Sequence, residues 1–379
     1  IDNNEIEAIA IGLIHSYANS MHEEKIADHL SAARPDLSIT LSSQVCPEIR
    51  EYERQSTACA NAYVQPLMSR YLTKLDEALQ SMGFMCPFLL MTSGGGLTTL
   101  DTSIKFPVRL VESGPAGGAI LATEIAKECG IDNVLSFDMG GTTAKICLID
   151  DYTPQMTRTF EVARVYRNLK GSGLPLRIPA IEMVEIGAGG GSIAKVDDMK
   201  RISVGPESSG ASPGPACYGQ GGLDATVTDA DVILGRIDPQ DFAGGAVKLA
   251  PEKADLVLQT AVGDKLSLDS SLSAFGVSEI VDENMANAAR VHAIEWGKDI
   301  SARSMIAFGG AAPLHALRLA EKLDINKVII PAGAGVGSAI GFLRAPISYE
   351  VVRSRYMSLQ YFDPDIVNQL MKEMSEEAR

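Results

Sequence analysis

The segment Phe137-Asp138-Met139-Gly140-Gly141-Thr142-Thr143 constrains this chain more than any other. An apolar stretch, NVLSFDMGG (133–141), runs into two glycines, and TTAKICLID (142–150) follows. Strand, glycine turn, strand predicts a tight hairpin whose strands are buried. Two glycines let backbone N–H groups approach phosphate oxygens closely, and the two threonine hydroxyls add donors. Asp138, at the end of a buried strand, can hold Mg²⁺ through water. The segment therefore has two readings. It is a turn that can receive phosphate oxygens, with Gly140, Gly141, Thr142 and Thr143 as donors and Asp138 able to hold the metal. Or it is an ordinary hairpin in which Asp and Thr serve the turn.

Two further glycine clusters raise the same question. In Phe308-Gly309-Gly310-Ala311-Ala312-Pro313 the strand SMIAF meets small residues at the start of a helical pattern. Gly309, Gly310 and Ala311 can border a nucleotide or phosphate there, or can serve close strand–helix packing. The segment matches neither a G-x-G-x-x-G fingerprint nor a Walker A loop. Pro331–Gly337 (PAGAGVG) is similar in kind. In Gly187-Ala188-Gly189-Gly190-Gly191-Ser192, the run Gly189, Gly190, Gly191 and Ser192 reads as backbone close to a ligand or a hinge, or as a structural turn. GPESSGASPGPACYGQGG (205–222) continues the theme and is followed by TVTDAD (226–231).

Composition narrows the function classes. Lys plus Arg is 33 against 48 for Asp plus Glu, a formal net charge of −15. Nucleic acids and anionic membranes both call for a basic face, so neither is expected as a partner. At 46% hydrophobic and 21% charged the chain is globular, and its 379 residues suggest two or three domains. No uninterrupted apolar run is long enough for a transmembrane helix, and no signal peptide opens the chain. It begins with Ile1, not Met, and reads as part of something longer. Six dispersed cysteines form no C-x-x-C pair, which points to reduced thiols and a cytoplasmic setting. Cys217, in the loop GPACYG, reads as structural before nucleophilic. The five histidines show no zinc-hydrolase spacing and there is no G-x-S-x-G elbow. His315, just beyond the Gly309 turn, reads as a core or helix-surface residue before a ligand-touching one.

Along the chain the pattern is α/β. A strand in AIAIGLIHSY precedes a helix over 22–33 and a strand in LSITLSSQV (37–45). A long helix is predicted from about Glu48 to Met82, and one at 113–130 with tight packing at its small-residue start. Residues 151–250, dense in Gly and Pro, predict strands and ordered loops with little helix. Helix returns over 251–300, most clearly at 278–299, and two strand–glycine turn–helix units follow. A strand-like piece and a charged helix close the chain.

Several long segments occur together in an order that resembles the hydantoinase A/oxoprolinase family: ESGPAGGAI, FDMGGTTAK, EIGAGGGSIA, GPACYGQGG, TVTDAD, FGGAAPLHA and PAGAGVGSAIGFLRAP. The resemblance runs from about Glu48 to about Arg353. It implies an α/β fold of the actin, heat-shock ATPase and sugar-kinase (ribonuclease H-like) type, with a Gly/Pro-rich, mainly β insertion. It divides the chain into an N-terminal remnant (1–47), an ATPase core (48–350, the insertion at about 151–250) and the start of a C-terminal region (351–379). Members of this family use ATP with Mg²⁺ to phosphorylate an amide or carbonyl oxygen. They open cyclic amides such as hydantoins or 5-oxoproline, or carboxylate ketones. The oxygen becomes a far better leaving group once phosphorylated, which pulls a reluctant ring opening forward. The implied function is an oligomeric component of a cyclic-amide hydrolase working with a hydantoinase B-type subunit or domain. The alternatives are a subunit of an acetone- or acetophenone-type carboxylase, or a non-enzymatic nucleotide-binding module. One departure is an earlier Asp-Gly-Gly-Thr type hairpin carried by the family and not found here. If the chain starts at Ile1, half the phosphate cradle is lacking, and these residues alone are expected to bind nucleotide weakly or not at all.

Overall fold

A computed structural model describes residues 5–163, 165 and 171–379. Part of the expected β insertion, residues 164 and 166–170, lies outside the described residues, as do residues 1–4 of the expected N-terminal remnant. The chain divides into two compact units. One comprises Ile1–Ala116, Met156–Ile181 and Ala345–Arg379; the other comprises Gly117–Gln155 and Glu182–Arg344. Among the described residues no helix is long and apolar enough to cross a membrane.

In the first unit, strands Ala8–Ile11 and Ser38–Leu41 pair in parallel, with helix Met21–Ala33 between them in sequence. Helix Glu51–Ser81 lies beside them and buries Ala58, Ala62 and Leu72. Its buried Asn61 amide donates to Thr40 Oγ1 at 2.9 Å and to the Lys105 carbonyl at 3.1 Å, which fixes the helix on the strand.

Two expectations are corrected here. The strand predicted over 37–45 stops at Leu41, and Ser42–Val45 form a helical turn. The buried Glu23 carboxylate explains the break. It accepts hydrogen bonds from Ser42 Oγ (2.7 Å), Ser43 N (2.9 Å) and Ser43 Oγ (2.7 Å), so the backbone turns toward it and leaves the ladder. Burial pushes the Glu23 pKa up, but these bonds outweigh it and hold the group ionised below its usual range. The strand-like piece predicted after residue 350 has no ladder partner among the described residues. Only the closing helix forms, at Pro364–Glu377, its first amides capped by Asp363.

The second unit holds the larger sheet. Its strands are β1 (Asn133–Met139), β2 (Ala144–Asp150), β3 (Thr153–Pro154), β4 (Val184–Ile186), β5 (Ser192–Val196), β6 (Ile202–Ser208), β7 (Ser304–Phe308) and β8 (Val328–Ile329). The main sheet runs β4-β2-β1-β7-β8, with β3 also on β2. β1 and β2 form the predicted antiparallel hairpin, in register from Asn133↔Asp150 to Met139↔Ala144. β7 lies parallel to β1 and pairs Phe308 with Asp138; β8 lies parallel to β7. Thus three successive loops, after β1, β7 and β8, leave the sheet at one end.

Helices cover both faces, so β1 is buried from Val134 through Phe137. They are α1 (Ser113–Cys129, in this unit from Gly117), α2 (Val227–Ile233), α3 (Pro251–Leu258), α4 (Ser270–Glu295), α5 (Ala312–Leu323) and α6 (Gly337–Arg344). Leu135, Phe137 and Met139, alternating along β1, pack with Val277, Val281 and Met285 of α4 and Ala312, Ala316 and Leu319 of α5. The opposite face carries Val134, Ser136 and Asp138. There Phe308 of β7 meets Gly118 of α1 and Gly337 of α6. Within 182–250 the expectation of little helix holds: α2 is seven residues long, and β5 and β6 form an antiparallel hairpin. The molecule is α/β, as read from the sequence.

Candidate functional site

The turn after β1 closes with the Gly140 N–H donating to the Thr143 carbonyl at 3.1 Å. A Cβ built on Gly140, Gly141 or Gly310 would meet nothing within 4 Å. The backbone at these three positions is therefore bare and open. The amides of Gly141, Thr142 and Gly310 have no hydrogen-bond partner among the described residues. Such amides, next to glycines without side-chain cover, are available to an anionic oxygen.

Gly309 has the opposite constraint. Its φ is +99°, and a Cβ there would lie 2.4 Å from the Met139 carbonyl oxygen and 2.5 Å from Asp138 Oδ1. Only glycine fits this left-handed bend against the end of β1. The loop is held by Gly309 N–H to the Ala334 carbonyl (2.8 Å) and Ala311 N–H to the Met139 carbonyl (2.9 Å). The sequence-read segments 138–143 and 309–311 therefore meet at one end of the sheet.

Asp138 sits half-buried between them. Ser338, in the first turn of α6, donates its hydroxyl to Oδ2 at 3.1 Å. Burial pushes the carboxyl pKa up, against the opposing pull of the Ser338 bond and the nearby Lys145 charge. Lys145, opposite Asp138 on β2, donates to Thr143 Oγ1 at 2.8 Å and pairs with Glu185 at 3.3 Å.

Gly189, Gly190, Gly191 and Ser192 are buried under the hairpin turn. Gly190 N–H donates to the Gly140 carbonyl (3.0 Å) and Gly191 N–H to the Gly141 carbonyl (2.6 Å). A Cβ on Gly189 would lie 2.6 Å from the Thr142 backbone. Of the two readings of this run, backbone packing is what the geometry displays. The glycines let one chain lie directly on another, and Ser192 Oγ accepts the Gly189 N–H at 2.8 Å to close the bend.

Three features of the site were not read from the sequence. Ser338 lies 200 residues from the carboxylate it meets. Asp231 and Asp282 flank His315, with Asp282 Oδ1 at 2.7 Å from Nδ1 and Asp231 Oδ2 at 3.2 Å from Nε2. His315 is fully buried, as a core histidine was expected to be. Cys217 is likewise buried, its amide donating to Asp229 at 2.8 Å and its thiol pKa pushed far up by burial. A thiol in that state is a poor nucleophile.

No group of three or more His, Cys, Asp or Glu side chains suited to a metal occurs among the described residues. Among the described residues a cage built from protein ligands alone is thus lacking. One carboxylate beside open amides fits a magnesium ion that arrives with phosphates and keeps its waters.

The fold and loops define an α/β protein with open amides and one carboxylate gathered where parallel strands end. Residues 54–351 match the hydantoinase/oxoprolinase family, and the chain belongs to that family. It is 34% identical over 374 residues to the caprolactamase subunit alpha of Pseudomonas jessenii, covering 98% of this chain and 52% of that one. It is 31% identical over 386 residues to the acetophenone carboxylase gamma subunit of Aromatoleum aromaticum, covering 98% and 51%. Among solved structures, the ATP-dependent caprolactamase from Pseudomonas jessenii superposes with a TM-score of 0.84 at 32% identity, over 99% of this chain and 53% of that one. The chain spans about half the length of these two curated relatives.

Proposed function

We propose that this chain is the nucleotide-binding part of an ATP-dependent enzyme that opens cyclic amides. The observation that carries the reading is the bare backbone at Gly140, Gly141 and Gly310 around the half-buried Asp138. In this reading the core has the fold of the actin, heat-shock ATPase and sugar-kinase type. The free amides of Gly141, Thr142 and Gly310 receive phosphate oxygens, with the Thr142 and Thr143 hydroxyls beside them. Ala311 and the following helix start add the favourable end of a helix dipole. Asp138 would hold a magnesium ion through water, and such an ion, when bound, would neutralise charge on the phosphates. Gly189–Ser192 act from beneath by fixing the turn. The γ-phosphoryl group passes to the amide oxygen with release of ADP; water adds to the activated carbon, the ring C–N bond breaks with the nitrogen leaving as the protonated amine, and a second water displaces phosphate from the resulting acyl phosphate.

Both named relatives are subunits, which supports assembly with a partner subunit, of hydantoinase B type in this proposal. A ketone carboxylase is the second reading, favoured by the acetophenone carboxylase relative. One assay separates them. The intact protein with its partner subunits is given ATP and, in parallel, hydantoin, 5-oxoproline, caprolactam, or acetophenone with bicarbonate. ADP release coupled to a ring-opened amino acid supports the hydrolase. Coupling only to acetophenone and bicarbonate replaces it with the carboxylase, and no coupling to any of them removes both.

A further inference from the structure

The geometry points to His315 as a positioning residue that holds both supports of the 138–143 hairpin in one closed ring of hydrogen bonds. The ring can be followed atom by atom. The Met139 carbonyl accepts the Ala311 N–H at 2.9 Å, and Ala311 leads directly into α5. His315, in the first turn of α5, reaches Asp231 of α2 through Nε2 at 3.2 Å. Three residues earlier, the Thr228 N–H donates to the Gly190 carbonyl at 2.7 Å. The Gly190 N–H then donates to the Gly140 carbonyl at 3.0 Å, next to Met139 where the ring began. One side of the ring carries the open Gly310, the other carries the turn with Gly141 and Thr142. Their spacing depends on the α2–α5 link, and that link is His315 to Asp231.

The second nitrogen has a different task. Nδ1 binds Asp282 of α4, whose other oxygen has no partner among the described residues. That bond anchors α5 to α4 but takes no part in the ring. The charges around the histidine are Asp231, Asp282 and Arg236, whose Nη1 meets Asp231 Oδ1 at 3.0 Å and Ser278 Oγ at 2.7 Å. Burial opposes a charge on His315, yet the two carboxylates together outweigh it and raise its pKa to about 9. A doubly protonated ring donates at both nitrogens at neutral pH.

The two bonds can be removed one at a time. An asparagine amide nitrogen falls near the place of Nδ1, and a glutamine amide nitrogen near that of Nε2. H315N therefore keeps the Asp282 bond and opens the ring, whereas H315Q keeps the ring and loses Asp282. The inference rests on the nucleotide reading of the hairpin, so two readouts are taken on the intact protein. Calorimetry measures Mg-ATP affinity, and hydrogen exchange measures protection of the Gly190 and Ala311 amides. We expect H315N to weaken Mg-ATP binding about tenfold or more, the effect of losing a hydrogen bond to a charged group. H315Q should remain within about threefold of wild type. Exchange at Gly190 and Ala311 should quicken in H315N only. Equal effects of the two variants, or none from either, would overturn the positioning role. If the wild type binds no Mg-ATP, the nucleotide reading fails, and the exchange data alone decide whether His315 closes the ring.

Discussion

Gly309 and Gly310 are neighbours under opposite constraints, and they separate stability from binding. Gly309→Ala places a methyl group against the Met139 carbonyl and Asp138 at positive φ. The backbone strain alone costs about 1–2 kcal/mol, and a denaturant midpoint should fall accordingly. Gly310→Val has open space for its side chain, so the midpoint should stay nearly unchanged. Mg-ATP affinity should fall instead, because the branched side chain fills the approach to the free amide. Asp138 gives a complementary case. Burial raises its pKa, so keeping it ionised at neutral pH costs folding stability. Asp138→Asn should match or exceed wild type in thermal stability while losing ATP turnover; wild-type turnover would remove Asp138 from the mechanism. His315 titrates in the other direction. Its pKa is raised from 6.5 to about 9. The extra stability is therefore fully present below about pH 6.5 and is lost as pH rises toward 9. Melting temperature compared with His315→Gln across that window should show the wild-type advantage shrinking as pH rises.

At the scale of elements, the contact between α1 and α6 sets where Ser338 stands. A Cβ on Gly341 would lie 1.8 Å from the Gly117 carbonyl oxygen, and one on Gly117 would lie 2.4 Å from the Phe342 ring. These helices touch backbone to backbone. Gly341→Ala should force them apart, at a cost of about 1–3 kcal/mol for overpacking. Because Ser338 rides on α6, the same change should also loosen its bond to Asp138 and reduce turnover beyond the loss of stability. Tight packing at the small-residue start of α1 was legible, since SGPAGGA leaves little else to bury. Its partner was not. The sequence marks Gly341 only as one glycine among several, and nothing local says that it faces Gly117. The missed break at Leu41 has the same origin. LSITLSSQV has a strand pattern throughout, but Glu23, far away in sequence, supplies the acceptors that turn Ser42 and Ser43 out of the ladder.

For the whole molecule, the sheet order β4-β2-β1-β7-β8 brings the loops after β1, β7 and β8 to one end. The proposed function therefore predicts one Mg-ATP per chain in the intact protein, measured by calorimetry, with binding weakened together by changes at Gly310 and at Gly141. The amino-acid sequence alone determined the hairpin with Asp138, the glycine turn after β7, the α/β class and the family, because each rests on residues close together in the chain. Strand period, turn glycines and motif order are local properties. Tertiary structure alone decided what those residues meet. It placed Gly189–Gly191 beneath the turn, Ser338 on Asp138, and Asp231 and Asp282 on either side of His315. The reason is physical: a hydrogen bond or a backbone contact depends on distance in space, and the partners here lie 33, 84 and 200 residues apart.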